Sequence, residues 1–408
     1  MGSDRITELR IGGLRTIDSL TLPLGGLTVL VGENGTGKSS ILEACEILRR
    51  AARPQFFSEL NGAHGGMFSL LRQGAAELTL GVTIEGEKNR PPVSYDITVH
   101  HDHSTTRISN ESLSTGPDTR LKVPIRIFER TESGGWVYDH SASGKTVIGV
   151  QPNRSTLGNL GDIVPHDSIS RMKSALEHIE LYLPFEVLPA WAARTYGRAS
   201  TMRSSTRIEP VDRLMCLGDN LANVFHALRT EYTDDHWQTT MAHVRLGLGQ
   251  HIESLNARTD MGGGAIALWI KLEDREQQMP LASLSDGEIA YLAFVALYRL
   301  PTGSSLVAID EPELHLHPGL LVRVVQMLES MAEERPVLLS THSDRLLDAL
   351  TDPARAVRVC EIVGEHRVTR LRELDPDALA DWKDEYRGVG QLRSAGYLHT
   401  ALKPQESR

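Results

Sequence analysis

The chain opens on an alternation of apolar and polar positions over Ile6–Ile11, the pattern of a half-buried strand. Gly12-Gly13 interrupts it, and Leu14–Ile17 and Leu20–Leu24 follow as short extended pieces of a small β-lobe. Leu27–Val31 ends in the apolar run Val29-Leu30-Val31, which suits a buried strand. A glycine-rich stretch comes next, and then Ile41, Leu42, Cys45 and Leu48 recur at helical spacing. Arg49–Gly66 is mixed and gives no clear period. Glu77–Glu85 alternates through Leu78, Leu80, Val82 and Ile84, and the β-rich pattern continues through Val93–Val99 and from Arg107 onward. Ile125–Phe128 and Trp136–Tyr138 read as a hairpin around Ser133-Gly134-Gly135. From Asp167 the period changes: Ile169, Met172, Leu176, Ile179 and Leu183 predict a helix. Leu214–Glu231 and Trp237–Leu255 predict two more, interrupted by Gly218, Gly247 and Gly249 and too short for a long coiled-coil arm. Ile266–Leu272 returns to strand, Ile289–Leu300 is a strongly apolar helix, and Ser305–Ile309 and Val337–Thr341 are apolar strands.

The chemistry sits where these apolar runs end. After Val31, the residues Gly32-Glu33-Asn34-Gly35-Thr36-Gly37-Lys38-Ser39-Ser40 fit G-x-x-x-x-G-K-S/T between a strand and a helix, the context of a phosphate-binding loop. Glycines let successive backbone N–H groups converge on phosphate oxygens, and the helix dipole adds to their pull. Lys38 would reach the β- and γ-phosphates, and Ser39 would hold Mg²⁺. The Ser305–Ile309 strand ends in Asp310 and Glu311, fitting a carboxylate for Mg²⁺ and a general base for the attacking water. The next apolar strand ends in His342, 31 residues after Glu311, which would bridge Glu311 and the γ-phosphate. Ser285 and Gly287 lie before the apolar helix, a second anion-binding helix end. Gln73, before the Glu77 strand, is a candidate sensor of Mg²⁺ and the attacking water; Gln55 competes for that role, and an exposed loop glutamine is the plainer reading. Arg15 is either near the nucleotide or a solvated strand residue.

Composition narrows the partners. The 408 residues carry a net charge of −10, so no whole-chain basic footprint for nucleic acid exists. Val187–Ile208 is the local exception, with Arg194, Arg198, Arg203 and Arg207, Trp191 and Tyr196, and no acidic residue. It reads either as a segment for nucleic-acid phosphates or as a basic loop balancing an acidic surface. DNA or RNA therefore stays an open partner class. His100-His101-Asp102-His103 reads as a polar hairpin tip better than as a metal cluster, because strand neighbours point to opposite faces. Cys45, Cys216 and Cys360 form no C-x-x-C pair, which suggests a reducing compartment. The opening residues lack an apolar signal segment and Ile289–Leu300 is too short to span a bilayer, so a cytoplasmic protein with no membrane partner is expected.

Taken together and in this order, the four motifs resemble those of the ABC ATPase superfamily. Gly32–Ser39 looks like its Walker A, Leu284–Glu288 its signature motif, Ile309–Glu311 its Walker B and His342 its switch histidine. The opening Ile6–Ser40, Asp219–Ala222 and Ile309–Pro318 (IDEPELHLHP) are similar to the RecF/SMC/OLD branch rather than to transporter heads. The resemblance implies an α/β P-loop fold: a mixed central sheet flanked by helices, an N-terminal β-lobe, and a mixed β/helical insertion. The head would comprise residues 1–90 and 265–365, the insertion or lid 91–264 and a tail 366–408. It further implies ATP and Mg²⁺ as cofactors, ATP hydrolysis to ADP and phosphate, and a homodimer or higher homo-oligomer. In that assembly Ser285 and Gly287 of one head close on the ATP held by Lys38 of another. Only 66 residues follow His342, which looks short for a nuclease domain of the Toprim kind, so a nuclease or toxin effector is expected as a separate chain. The implied role is a nucleotide switch in anti-phage defence or DNA repair. A non-hydrolysing ATP-dependent scaffold and a transporter ATP-binding subunit are the alternatives.

Overall fold

The computed structural model describes residues 4–86, 90–102, 105–117, 124–139, 144–160, 165–189, 200–260, 262–382 and 385–404. In chain order its strands are β1 (Ile6–Leu14), β2 (Ile17–Pro23), β3 (Leu27–Val31), β4 (Glu77–Ile84), β5 (Val93–Asp102), β6 (Thr105–Pro117), β7 (Pro124–Thr131), β8 (Gly135–Asp139), β9 (Gly144–Ile148), β10 (Ile179–Tyr182), β11 (Thr206–Arg207), β12 (Ile252–Thr259), β13 (Ala265–Leu272), β14 (Met279–Pro280), β15 (Leu306–Asp310), β16 (Val337–Thr341), β17 (Val357–Val363) and β18 (Val368–Glu373).

The sheet that matters for function runs β10-β15-β16-β3-β17-β18. Its first five strands are parallel and β18 returns antiparallel. Parallel strands are covered on both faces, which explains the apolar runs Val29–Val31, Leu306–Ile309 and Val337–Leu339 in the three middle strands. Side chains alternate between two cores. Leu30, Ala308 and Leu338 face a core shared with the Lys38–Ala51 helix and the β-lobe. Val29, Val31, Val307, Ile309, Val337 and Leu339 face the other core, filled by the Asp286–Arg299 helix. The result is a mixed α/β fold with a central sheet flanked by helices.

An antiparallel sheet, β2-β1-β4-β5-β6-β7-β8-β9, covers the first of these cores. Ile6 N donates to Ser305 O at 3.0 Å, tying it to the central sheet. Buried Glu111 fastens its far end: its carboxylate accepts from Tyr95 Oη (2.9 Å), Ser155 Oγ (3.0 Å), Thr156 N (2.7 Å) and Leu157 N (2.9 Å). A smaller sheet of β11, β13, β12 and β14 packs on the second core.

Three sequence expectations change. The helix from Asp167 ends at Glu177, and Ile179–Tyr182 is instead β10, beside β15. The helix over Asp234–Leu248 stops at Gly249, whose φ is 113°, and Ile252–Thr259 is strand β12. Leu214–Asn220 is irregular, and the helix begins at Leu221. Only β10 is mostly buried, and there a four-residue apolar stretch fits either period; Gly249 and Gly218, with φ of 113° and 83°, mark the other two breaks. The mixed stretch also holds a helix, Phe56–His64. Residues 91–264, expected as an insertion, contribute strands to all three sheets. His103 lies outside the described residues; His101 Nδ1 pairs with Thr106 Oγ1 at 2.8 Å across the β5–β6 hairpin. No helix among the described residues is long and apolar enough to cross a membrane.

Candidate active site

Because β15, β16 and β3 are adjacent and parallel, their carboxyl ends share one edge of the sheet, where ligands of such sheets bind. Register places Asp310 beside Ser340 and Thr341 beside Val31. The glycine-rich loop leaves β3 at this edge.

Within the loop, Gly37 has a φ of 97° and sits under two threonines. A Cβ there would lie 2.6 Å from Thr369 Oγ1 and 3.2 Å from Thr16 Oγ1, so glycine is required by conformation and by space. Thr369 Oγ1 donates to Thr16 Oγ1 (2.7 Å), roofing the loop with residues 353 positions apart. Gly32, Thr36, Ser40 and the loop tip Glu33-Asn34-Gly35 complete the turn; Thr36 Oγ1 donates to Glu33 O at 2.8 Å. Lys38 is buried, and its ammonium donates to Gly32 O (2.8 Å) and Glu33 O (3.0 Å). Burial pulls its pKa below the ordinary lysine value. Cys360, Glu311 and Asp310 oppose that shift, and the Arg393 guanidinium adds to it.

Ser39 is exposed at the start of the Lys38–Ala51 helix and lines, with Asp310, a cavity of about 680 Å³. Its further walls include Arg15, Glu43, Glu46, His64 and Tyr182. A hydroxyl and a carboxylate are hard oxygen donors, the set that suits Mg²⁺. Ser340 Oγ donates to Asp310 Oδ1 and fixes that carboxylate. Glu311 adopts φ 47°, unusual for a residue with a side chain, and its amide donates to Ser340 O at 3.1 Å. His342 Nε2 stands 3.6 Å from Glu311 Oε1. The carboxylate and the imidazole can therefore act on one water and one phosphate.

Ser285 is the N-cap of the Asp286–Arg299 helix in a reciprocal capping box with Glu288. A Cβ on Gly287 would lie 2.7 Å from His315 O, so this helix end is seated against the turn that follows Glu311. Gln73 lies on an exposed turn before β4, in the antiparallel sheet, and Gln55 precedes the Phe56–His64 helix. Arg194 and Arg198 are outside the described residues. Arg207 is in β11, and the Arg203 side chain is buried against the loop before the Asp286–Arg299 helix. Arg15 pairs with Glu43 at 2.8 Å.

Several residues at this edge carried no legible motif. Glu313 Oε1 accepts from both Thr341 Oγ1 and His342 N at 2.8 Å, setting the histidine loop. Arg203 donates to Ala282 O and Leu284 O, each at 2.8 Å, and pairs with Asp286. Glu313 stood inside the IDEPELHLHP run and could have been singled out there. The contact of Arg203, 83 positions from Asp286, had no sequence signal.

Comparison with known proteins bears on the family and the fold. A family model described as "AAA domain, putative AbiEii toxin, Type IV TA system" matches residues 27–158 and 212–348. The chain is 23% identical to an OLD nuclease from Thermus scotoductus, over 96% of this chain and 69% of that one. It is 21% identical to the Old nuclease of Escherichia phage P2, over 88% of this chain and 59% of that one. It thus spans well under the full length of both relatives. Among solved structures, an Smc head bound to the C-winged helix domain of ScpA superposes with a TM-score of 0.52 at 14% identity, covering 91% of this chain and 99% of that one. That likeness shows the head fold.

Proposed function

This chain belongs to the AAA-domain family whose model it matches, related to RecF/SMC/OLD-like ATPases, and from that premise we propose that it is an ATP-hydrolysing dimeric switch. The observation that carries the reading is the convergence of Lys38, Asp310, Glu311 and His342 on one edge of three adjacent parallel strands, with His342 3.6 Å from Glu311.

In this reading the phosphates of ATP lie along Gly32–Ser39, held by backbone N–H groups, the helix dipole and Lys38. Ser39 and Asp310 would hold Mg²⁺, which when bound neutralises charge on the β- and γ-phosphates. Glu311 takes a proton from the attacking water as the water oxygen bonds to the γ-phosphorus. The bond to the bridging oxygen breaks, and its electron pair leaves with ADP. His342 orients Glu311 and contacts the γ-phosphate. Ser285 and Gly287, at the end of a 14-residue helix, would complete the site of a second copy. The names of the relatives, two nucleases, and the toxin named in the family description support a role in anti-phage defence or DNA maintenance. There the switch would control a nuclease or toxin as a separate effector. Turnover by Glu311→Gln should drop by about 10²–10⁴-fold with nucleotide still bound, and Lys38→Ala should lose binding. Unchanged turnover in Glu311→Gln removes the assignment.

A further inference from the structure

The residues after β18 return to the site. The short helix Val389–Ser394 lies directly on Asp344–Asp348, the helix that begins two residues after His342. The approach is close enough to demand glycine: a Cβ on Gly390 would lie 1.9 Å from Asp344 O. Gly390 N donates to Asp348 Oδ1 at 2.7 Å, and Ser394 Oγ donates to Asp344 Oδ2 at 2.6 Å. Val389, Leu392, Leu398 and Leu402 are buried in the core that underlies the sheet.

Arg393 projects from this helix. One nitrogen, Nη1, donates to the backbone carbonyl of His342 (3.2 Å) and to Asp344 Oδ1 (3.1 Å). Among the described residues the other two guanidinium nitrogens make no hydrogen bond. The side chain keeps 20% of its surface exposed. Its charge is felt at the Lys38 ammonium in the same direction as burial. A guanidinium anchored through one nitrogen on the loop that carries His342 keeps its remaining N–H groups available to an anionic oxygen.

We infer that Arg393 is a phosphate-binding residue for the γ-phosphate of ATP, which makes the docking of the C-terminal segment sensitive to whether ATP or ADP is bound. This rests on the reading of Lys38 and Glu311 as the nucleotide site. A purely structural role, tying Val389–Ser394 to Asp344, would affect both nucleotides alike; a γ-phosphate contact would not.

The test is calorimetric titration of the full chain with ATPγS and with ADP, both with Mg²⁺. Arg393→Ala should weaken ATPγS binding by about tenfold, as loss of one charge-assisted contact does, and change ADP affinity by less than about twofold. Arg393→Lys should recover part of the ATPγS affinity, since it keeps the charge and loses the fork. Thermal unfolding with ADP checks that each variant is folded, and Arg393→Gln serves if the alanine variant is not. Equal weakening of both nucleotides, or no weakening of either, overturns the inference. Lys38→Ala is the control for the underlying reading: nucleotide binding that survives it removes the site itself, and this inference with it.

Discussion

Glu311 holds a left-handed backbone conformation at φ 47°, and His315, four residues on, another at φ 67°. Such positions cost about 1–3 kcal/mol each and persist where surrounding bonds over-determine them. Here the amide of Glu311 is tied to Ser340, and its side chain is aimed at His342. Glu311→Gly should therefore raise stability by about 1 kcal/mol in chemical denaturation while abolishing turnover; a variant that loses stability would mean that the conformation carries no strain. Glu313 makes the complementary case. Its Oε1 holds the loop of His342 through two bonds, and its Oε2 is buried with no hydrogen-bond partner among the described residues. Glu313→Ala should lower kcat by about ten- to a hundredfold, and cost about 1–3 kcal/mol of stability, by leaving the Thr341 and His342 donors unpaired. Nucleotide affinity should be kept, because among the described residues the Glu313 side chain hydrogen-bonds to Thr341 and His342 and not to Gly32–Ser39. A loss of affinity as large as the loss of kcat would refute a positioning role.

At the scale of elements, the helix Asp286–Arg299 depends on a residue far away in the chain. Its capping box closes the first turn from within. Arg203 holds the preceding loop from outside, through two carbonyls and Asp286, with its own Nε on Val187 O at 2.8 Å. Arg203→Ala should destabilise the fold by about 2–4 kcal/mol and reduce ATP turnover more than ATP binding. Arg203→Lys should not restore turnover, since one ammonium cannot reproduce the fork. Comparing kcat and KM of the three proteins tests this; recovery by lysine would point to charge alone. The elements also show what a sequence makes legible. The P-loop, the Asp310–Glu311 pair and His342 stood out because each follows an apolar strand directly and its chemistry is local. Strand β10 did not. Ile179 and Leu183 continue the spacing of the preceding helix, and a four-residue strand, three of whose residues are buried, carries no period of its own. Arg203 and Arg393 were visible only as basic residues, because what gives each a role is a partner loop 79 and 51 positions away.

At the scale of the whole molecule, one exposed helix end matters most. Ser285 is solvent-exposed, at the amino end of a helix whose other face is entirely in the core. Among the described residues its hydroxyl is engaged by Glu288 of its own helix alone, at 2.8 Å. If Ser285 and Gly287 close on the nucleotide of a second copy, that surface is the interface. Mg-ATP should then double the solution mass of the Glu311→Gln protein, in which hydrolysis no longer reverses closure; light scattering with and without nucleotide measures it. Ser285→Arg should stay at the mass of a single chain in Mg-ATP. The same substitution removes an N-cap, at a cost of about 1 kcal/mol, so Ser285→Ala is the matched control. It loses the same cap without adding bulk, and should still show a rise in mass. A dimer that survives Ser285→Arg, or one that forms equally without ATP, would move the contact away from this helix end. Ser285 and Gly287 would then keep the capping and packing role already visible in a single chain, and Lys38, Glu311 and His342 would have to work without a partner's residues.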